Sequence, residues 1–182
     1  MATLWTEAIG AINQYVTKLK KNDHVHLAVF DTEYDVVRDM KVKDWEDIDA
    51  SEVSPRGTTA LYDSCGKIMK TAEEDNAKKT VLVVMTDGYE NASREHTQAS
   101  VKAKVEQFEK KGWEVIFLGA NFDAVETVSG SVGVSVNKTI NTSAQNLRAT
   151  MDSLSTSTMA YASSGQAINF SAEDKLKAVS PK

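Results

Sequence analysis

The chain has 182 residues, 41% hydrophobic and 26% charged, which is enough length and apolar content for one globular domain with a substantial core. Its net charge of −5 argues against the basic face that nucleic-acid binding needs, and its single cysteine, Cys65, rules out an internal disulfide framework. No apolar run approaches the ~20 residues of a membrane span and no signal-peptide pattern opens the chain, so a cytoplasmic protein that does not enter the membrane is expected.

Trp5, Ile9, Ile12, Val16 and Leu19 recur at helical spacing and form one apolar stripe, with Thr3 or Thr6 as a cap and Lys18, Lys20 and Lys21 at the far end. Asn22-Asp23 breaks the pattern. Val25, Leu27 and Val29 then alternate with His24, His26 and Ala28, which predicts a strand over 24–30. Asp31-Thr32-Glu33 turns the chain into an antiparallel edge strand over 34–40. Residues 41–56 form a long acidic connection holding Trp45 and Ile48, closed by Pro55 and Gly57.

A helix over 60–72 turns Leu61, Cys65, Ile68, Met69 and Ala72 inward, which makes Cys65 a small core residue. Thr80–Met85 is an unbroken apolar run, β-branched at several positions, and reads as a strand buried on both faces. It stops on Thr86-Asp87-Gly88, at the carboxyl end of the strand, where open α/β sheets place their ligand sites. The polar loop 89–95 precedes a helix with Val101, Val105 and Phe108 inward and Gly112 as its stop. A further strand over 113–119 runs into Ala120-Asn121-Phe122-Asp123 and a short helix reaching Ser129. A weaker strand over 134–140 and a helix over 144–161 follow. Strands alternating with helices imply a three-layer α/β fold, a mostly parallel open sheet flanked by helices on both faces. Residues 1–163 are the domain and residues 164–182 a Ser/Lys-rich tail with room for a short helix.

Arg56-Gly57-Thr58-Thr59-Ala60-Leu61-Tyr62-Asp63 and Val84-Met85-Thr86-Asp87-Gly88, in that order and spacing, resemble the von Willebrand factor type A (vWA) domain. The resemblance covers most of residues 4–160, including the strand exit Gly119-Ala120-Asn121-Phe122-Asp123-Ala124. It implies a vWA/Rossmann-like fold and a metal-ion-dependent adhesion site in which Thr59 and Asp87 are ligands of Mg²⁺ or Mn²⁺. It also implies that a carboxylate of another protein occupies the ion's open position. The chain departs from the family in one respect: the first strand, with its Asp-x-Ser-x-Ser motif, is absent, and residues 1–182 open at the helix that follows it. Asp152-Ser153-Leu154-Ser155-Thr156 does not replace the motif, because its third position is wrong and it lies on a helical face. With two of the family's five ligands, cation binding is expected to be weak or absent.

The same absence leaves a gap between the 24–30 and 80–85 strands. Direct closure of these strands is expected slightly ahead of strand donation from a partner or a second copy, since an apolar edge invites pairing. Plainer roles stand beside the site: Thr59 capping the helix at Ala60, and Asp87-Gly88 making a turn. His24 and His26 share a strand face, but without an evident third ligand they read as half-exposed strand residues, and His96 as solvated. Asp44, Glu46, Asp47 and Asp49 lack the spacing and glycine of a calcium loop. The leading expectation is a non-enzymatic protein–protein interaction module. The alternatives are a metal-free scaffold of the same fold and, less favoured, a haloacid-dehalogenase-like phosphotransferase. The last would use Asp31 of Val29-Phe30-Asp31-Thr32-Glu33, with Thr86 on phosphate.

Overall fold

The strand β4 (Glu114–Ala120) is buried at every position, and the fold is built outward from it. In the computed structural model, which describes residues 2–54, 57–120 and 125–180, β4 lies between two parallel neighbours, β3 (Val81–Thr86) and β5 (Thr139–Thr142). Alternation along the strands supplies both faces. Val115 and Phe117, with Val84, join one apolar cluster; Ile116 and Leu118, with Val83 and Met85, join the other. The first cluster is covered by α2 (Leu61–Glu74), α3 (Gln98–Lys110) and α4 (Val125–Ser131). The second is covered by α1 (Ala2–Thr17), α5 (Leu147–Ser164) and α6 (Ala172–Val179). This is the expected three-layer arrangement.

The helix boundaries follow local chemistry. Thr97 and Ser100 form a reciprocal capping box at the start of α3, and Gly112, at φ +75°, ends it in the left-handed conformation that glycine adopts at least cost. The helix α1 already runs from Ala2, so Thr6 lies within it and not ahead of it. The last strand is shorter and later than the apolar pattern suggests, because residues Val136–Lys138 make a 3₁₀ turn. Residues 164–180, expected as a tail, hold Ile168, Phe170 and Ala178 in the core, and Ser143 N–H donates to Ala178 C=O at 3.1 Å.

At the amino ends of the strands, polar anchors tie α5 to the sheet. Lys79, just ahead of β3, donates to the carbonyls of Tyr161 and Ala162 at 2.9 and 3.0 Å. The Tyr161 hydroxyl in turn donates to Gly112 C=O at 2.7 Å.

The expectation of one continuous sheet is only partly met. The strands β1 (His24–Phe30) and β2 (Tyr34–Lys41) form their own antiparallel pair, with a bulge between Leu27 and Ala28. Among the described residues no ladder joins β1 to β3, so the direct closure expected between them does not occur. The restraints on α1 give the reason. Trp5 Nε1 donates to Val53 C=O, Asn13 exchanges two hydrogen bonds with the backbone of Ile48, and Tyr15 and Gln14 bond Thr158 and Asp152 of α5. A helix held at so many points keeps the hairpin that follows it away from β3.

Candidate functional site

The carboxyl ends of β1 and β3 meet at the loop before α2. Just past β1, the buried Asp31 accepts the Ala60 N–H on its backbone carbonyl at 2.8 Å, while its carboxylate accepts the Glu33 N–H at 2.6 Å. At the end of β3, Gly88 stands so close to Thr59 that a Cβ there would lie 3.4 Å from Thr59 Oγ1. Thr59 and the Asp87-Gly88 turn, about thirty residues apart in sequence, are therefore neighbours, and both strands point the same way.

The loop before α2 and the β3–α3 loop are held together by carboxylates. Thr59 and Asn91 exchange two hydrogen bonds, Thr59 N–H to Asn91 Oδ1 at 2.9 Å and Asn91 N–H to Thr59 C=O at 3.0 Å. Thr59 does not cap α2: the helix begins at Leu61 with Ala60 as its N-cap residue and without a side-chain cap of its own. The first turn of α2 is closed from the other loop. Glu90 accepts the Tyr62 N–H at 2.9 Å and Ser93 Oγ accepts the Asp63 N–H at 3.1 Å. Asp63 reciprocates by accepting the N–H groups of Arg94, Glu95 and His96 at 2.8, 2.9 and 2.7 Å. Glu90 also accepts from Ala92 and Ser93 of its own loop.

Burial works against the charge on Asp63, but the three backbone donors outweigh it and hold the carboxyl below its ordinary range. Burial likewise opposes ionisation of Glu90, and its hydrogen bonds from Ser93, Tyr62 and Ala92 overcome it. Cys65, one turn further along α2, is buried in the core as expected, and burial, helped by the nearby Glu90 charge, pushes its thiol up to about 12.

Asp87 is exposed and Thr59 half-buried. Together they offer a cation two oxygen side chains, and among the described residues no group of three or more His, Cys, Asp or Glu stands ready to hold one. A hard divalent ion taking six oxygen ligands is not accommodated by that pair, so the donor set among the described residues does not fit a resident Mg²⁺ or Mn²⁺. His24 and His26 bracket Asp39, with His24 Nε2 at 2.5 Å, and His26 Nε2 lies 3.1 Å from the Tyr34 hydroxyl. The His24 side chain is exposed and that of His26 largely covered, and both lie in the first half of β1, away from its carboxyl end. The Asn121–Ala124 strand exit and Arg56 lie outside the described residues. Glu90, Asp63 and Ser93 are the residues that the sequence pattern did not single out; the acidic residue and serine at i, i+3 in a loop were the available signal.

No protein-family model matches the chain, and no curated protein matches it. Among solved structures it is similar to proximal thread matrix protein 1 from the mussel byssus, with a TM-score of 0.63 and 15% identity over 84% of this chain. The chain spans 40% of the length of that neighbour. Among the described residues no helix is long and apolar enough to cross a membrane. The structural likeness supports the fold alone: helices packed on a parallel sheet.

Proposed function

We propose that the chain is a non-enzymatic protein-interaction module of vWA type, which recognises another protein at the carboxyl ends of β1 and β3. One observation carries the reading. Thr59 and the exposed Asp87, the pair matched by the family motif, stand side by side on two loops that Asp63 and Glu90 clasp into a fixed platform. Preorganised loops on a rigid sheet are where binding residues concentrate, because their ordering entropy is lost on folding and not on association. The mussel byssus neighbour is a matrix protein, which agrees with a role in protein contacts. Asp31 supports this reading over phosphoryl transfer, since its carboxylate accepts the Glu33 N–H within its own turn.

A random peptide library selected on the immobilised chain, with and without Mg²⁺, tests the proposal. Selected peptides are expected to lose at least about fivefold in affinity against Thr59→Ala or Asp87→Ala, the loss of roughly one interfacial hydrogen bond. Peptides indifferent to both substitutions would place binding elsewhere. A metal-free scaffold is the second reading, favoured by the incomplete donor set, and it predicts no selection at this face under either condition.

A further inference from the structure

Asp87-Gly88 is the sole Asp–Gly step in the chain, and no Asn–Gly step occurs. In such a step the backbone nitrogen of the second residue can attack the side-chain carboxyl carbon of the first, because glycine has no Cβ to obstruct the approach. Three conditions apply: the carboxyl must be reachable, the peptide between the residues must be free to turn, and its N–H must be able to give up its proton. Asp87 meets the first. It is exposed in the bend after β3, and among the described residues its carboxylate makes no hydrogen bond and no ion pair. Asp31, Asp49 and Asp63 differ, since each accepts a backbone N–H. Asp63-Ser64 and Asp152-Ser153, where a serine follows, lie inside α2 and α5, and there the helix holds the peptide in place.

One side chain opposes the other two conditions. The Thr86 hydroxyl accepts the Gly88 N–H at 3.2 Å and donates to the Gly88 C=O at 3.0 Å, so it grips that residue at both ends. Thr86 is itself fixed, being the buried last residue of β3 and paired in register with Gly119 of β4. Turning the Asp87–Gly88 peptide toward the carboxyl breaks the first of these bonds and loosens the second. The proton that must be lost is the one Thr86 holds.

We propose that Asp87 is a site of spontaneous covalent modification, isomerisation to isoaspartate, and that the Thr86 hydroxyl sets its rate. The step balances with water alone. The Gly88 nitrogen bonds to the Asp87 side-chain carboxyl carbon, and the N–H proton and the carboxyl hydroxyl leave together as one water, closing a succinimide ring. Water then adds to the main-chain carbonyl of the ring and opens it, so the main chain runs through the former side chain. Nothing is oxidised or reduced, and the product has the mass of the starting chain. One methylene has entered the backbone between Thr86, held by the sheet, and Glu90, held by the loop clasp. The carboxylate left at position 87 now sits directly on the α-carbon, one bond shorter in reach, and the turn loses its fit against Thr59. The inference concerns the covalent state of this turn and does not need the strand-end face to bind anything.

Ageing of residues 1–182 at 37 °C and pH 7, sampled over weeks, tests it. The readout is peptide mapping by mass spectrometry with electron-transfer fragmentation, which separates isoaspartate from aspartate at a named position. Isoaspartate is expected at 87 before any other aspartate. Thr86→Val, which removes the hydroxyl, is expected to raise the rate about fivefold, the equivalent of roughly one hydrogen bond, with Thr86→Ser staying near the original rate. Gly88→Ala is expected to slow the reaction, and its Cβ, 3.4 Å from Thr59 Oγ1, makes only an ordinary contact that leaves the fold intact. A general loosening of the fold by Thr86→Val would raise isomerisation at Asp63 and Asp152 in step with Asp87, and that result overturns the role of Thr86. Equal rates in Thr86→Val and the unaltered chain overturn it as well. No isoaspartate at 87 in either chain overturns the site itself; a synthetic peptide of residues 84–91, which has no sheet to hold it, supplies the unrestrained rate for comparison.

Discussion

Glu90 closes the first turn of a helix to which it does not belong: its carboxylate accepts the Tyr62 N–H of α2 at 2.9 Å across the gap between two loops. A helix start leaves its first N–H groups without intrahelical partners, and here they are supplied by tertiary contact and not by a neighbouring Ser, Thr or Asp. Capping of α2 and docking of the two loops are thus made by the same bonds.

Replacing Glu90 with Ala removes the acceptor for the N–H groups of Tyr62, Ala92 and Ser93. The expected loss is about 1–3 kcal/mol in urea unfolding, with Glu90→Gln costing less because an acceptor oxygen remains. Equal and negligible losses would show that water replaces the clasp.

The clasp also sets the response to acid. Asp63 and Glu90 both have carboxyls held below their ordinary range by hydrogen bonds, so the folded state keeps its charge to lower pH than the unfolded chain does. Their stabilisation is complete above the unfolded values of about 3.9 and 4.3 and fades as pH falls through the lower folded values. Unfolding free energy followed from pH 6 downward is expected to drop on entering this window, more shallowly in Asp63→Asn. An unchanged slope in that variant would remove Asp63 from the account.

Gly66 on α2 faces His96 so closely that a Cβ would meet the imidazole ring at 2.3 Å. Gly66→Ala must displace the ring, and overpacking of this kind costs about 1–3 kcal/mol. Adding His96→Ala is expected to recover most of that loss, a coupling that a double-mutant cycle reads directly. Additive losses would place the strain in the helix and not at the ring.

Asp87→Ala, at an exposed position past the end of β3, is expected to change stability by no more than about 0.5 kcal/mol while weakening whatever binds the strand ends. Titration calorimetry of residues 1–182 with Mg²⁺ is expected to show no micromolar binding, since Thr59 and Asp87 alone leave most of an octahedral shell to water. Tight binding would demand further oxygen ligands from the surrounding loops.

Cys65 is expected to resist alkylation in the native state at pH 8, with burial holding the thiol protonated, and to react at the rate of global or local opening. Fast labelling would mean that the α2 layer opens readily onto the β1–β3 cavity, which Cys65 lines.

The central parallel strands were legible because their runs, 80–85 and 113–119, are short, rich in β-branched and aromatic residues and almost free of polar alternation, as a strand covered on both faces requires. The Gly112 stop and the inward stripe of α3 were legible for equally local reasons. The neighbourhood of Thr59 and Asp87 was legible through motif and topology together, since strand ends converge on one side of a parallel sheet. The clasp was not, because the bonds that cross between the loops join residues about thirty apart, and loops carry no period from which to read such pairings. The separation of β1 from β3 was hidden for a related reason. Edge pairing depends on where a third element holds the strands, here an α1 anchored at Trp5, Asn13 and Tyr15, and residue pattern along one strand contains none of that information.

The Lys79–Tyr161–Gly112 chain of hydrogen bonds has a consequence for how tolerant this scaffold is of change. It secures the entry to β3, the turn into β4 and the end of α5 from the amino-end side of the sheet, without using any atom of residues 57–63 or 86–97. The two ends of the barrel-less sheet are therefore separable for engineering: recognition loops can be exchanged at the carboxyl ends as a matched pair, while the opposite pole keeps the strands in register. Grafting one loop without its mate would break the reciprocal carboxylate bonds; transplanting both together preserves a self-contained cassette on a chassis already bolted from behind.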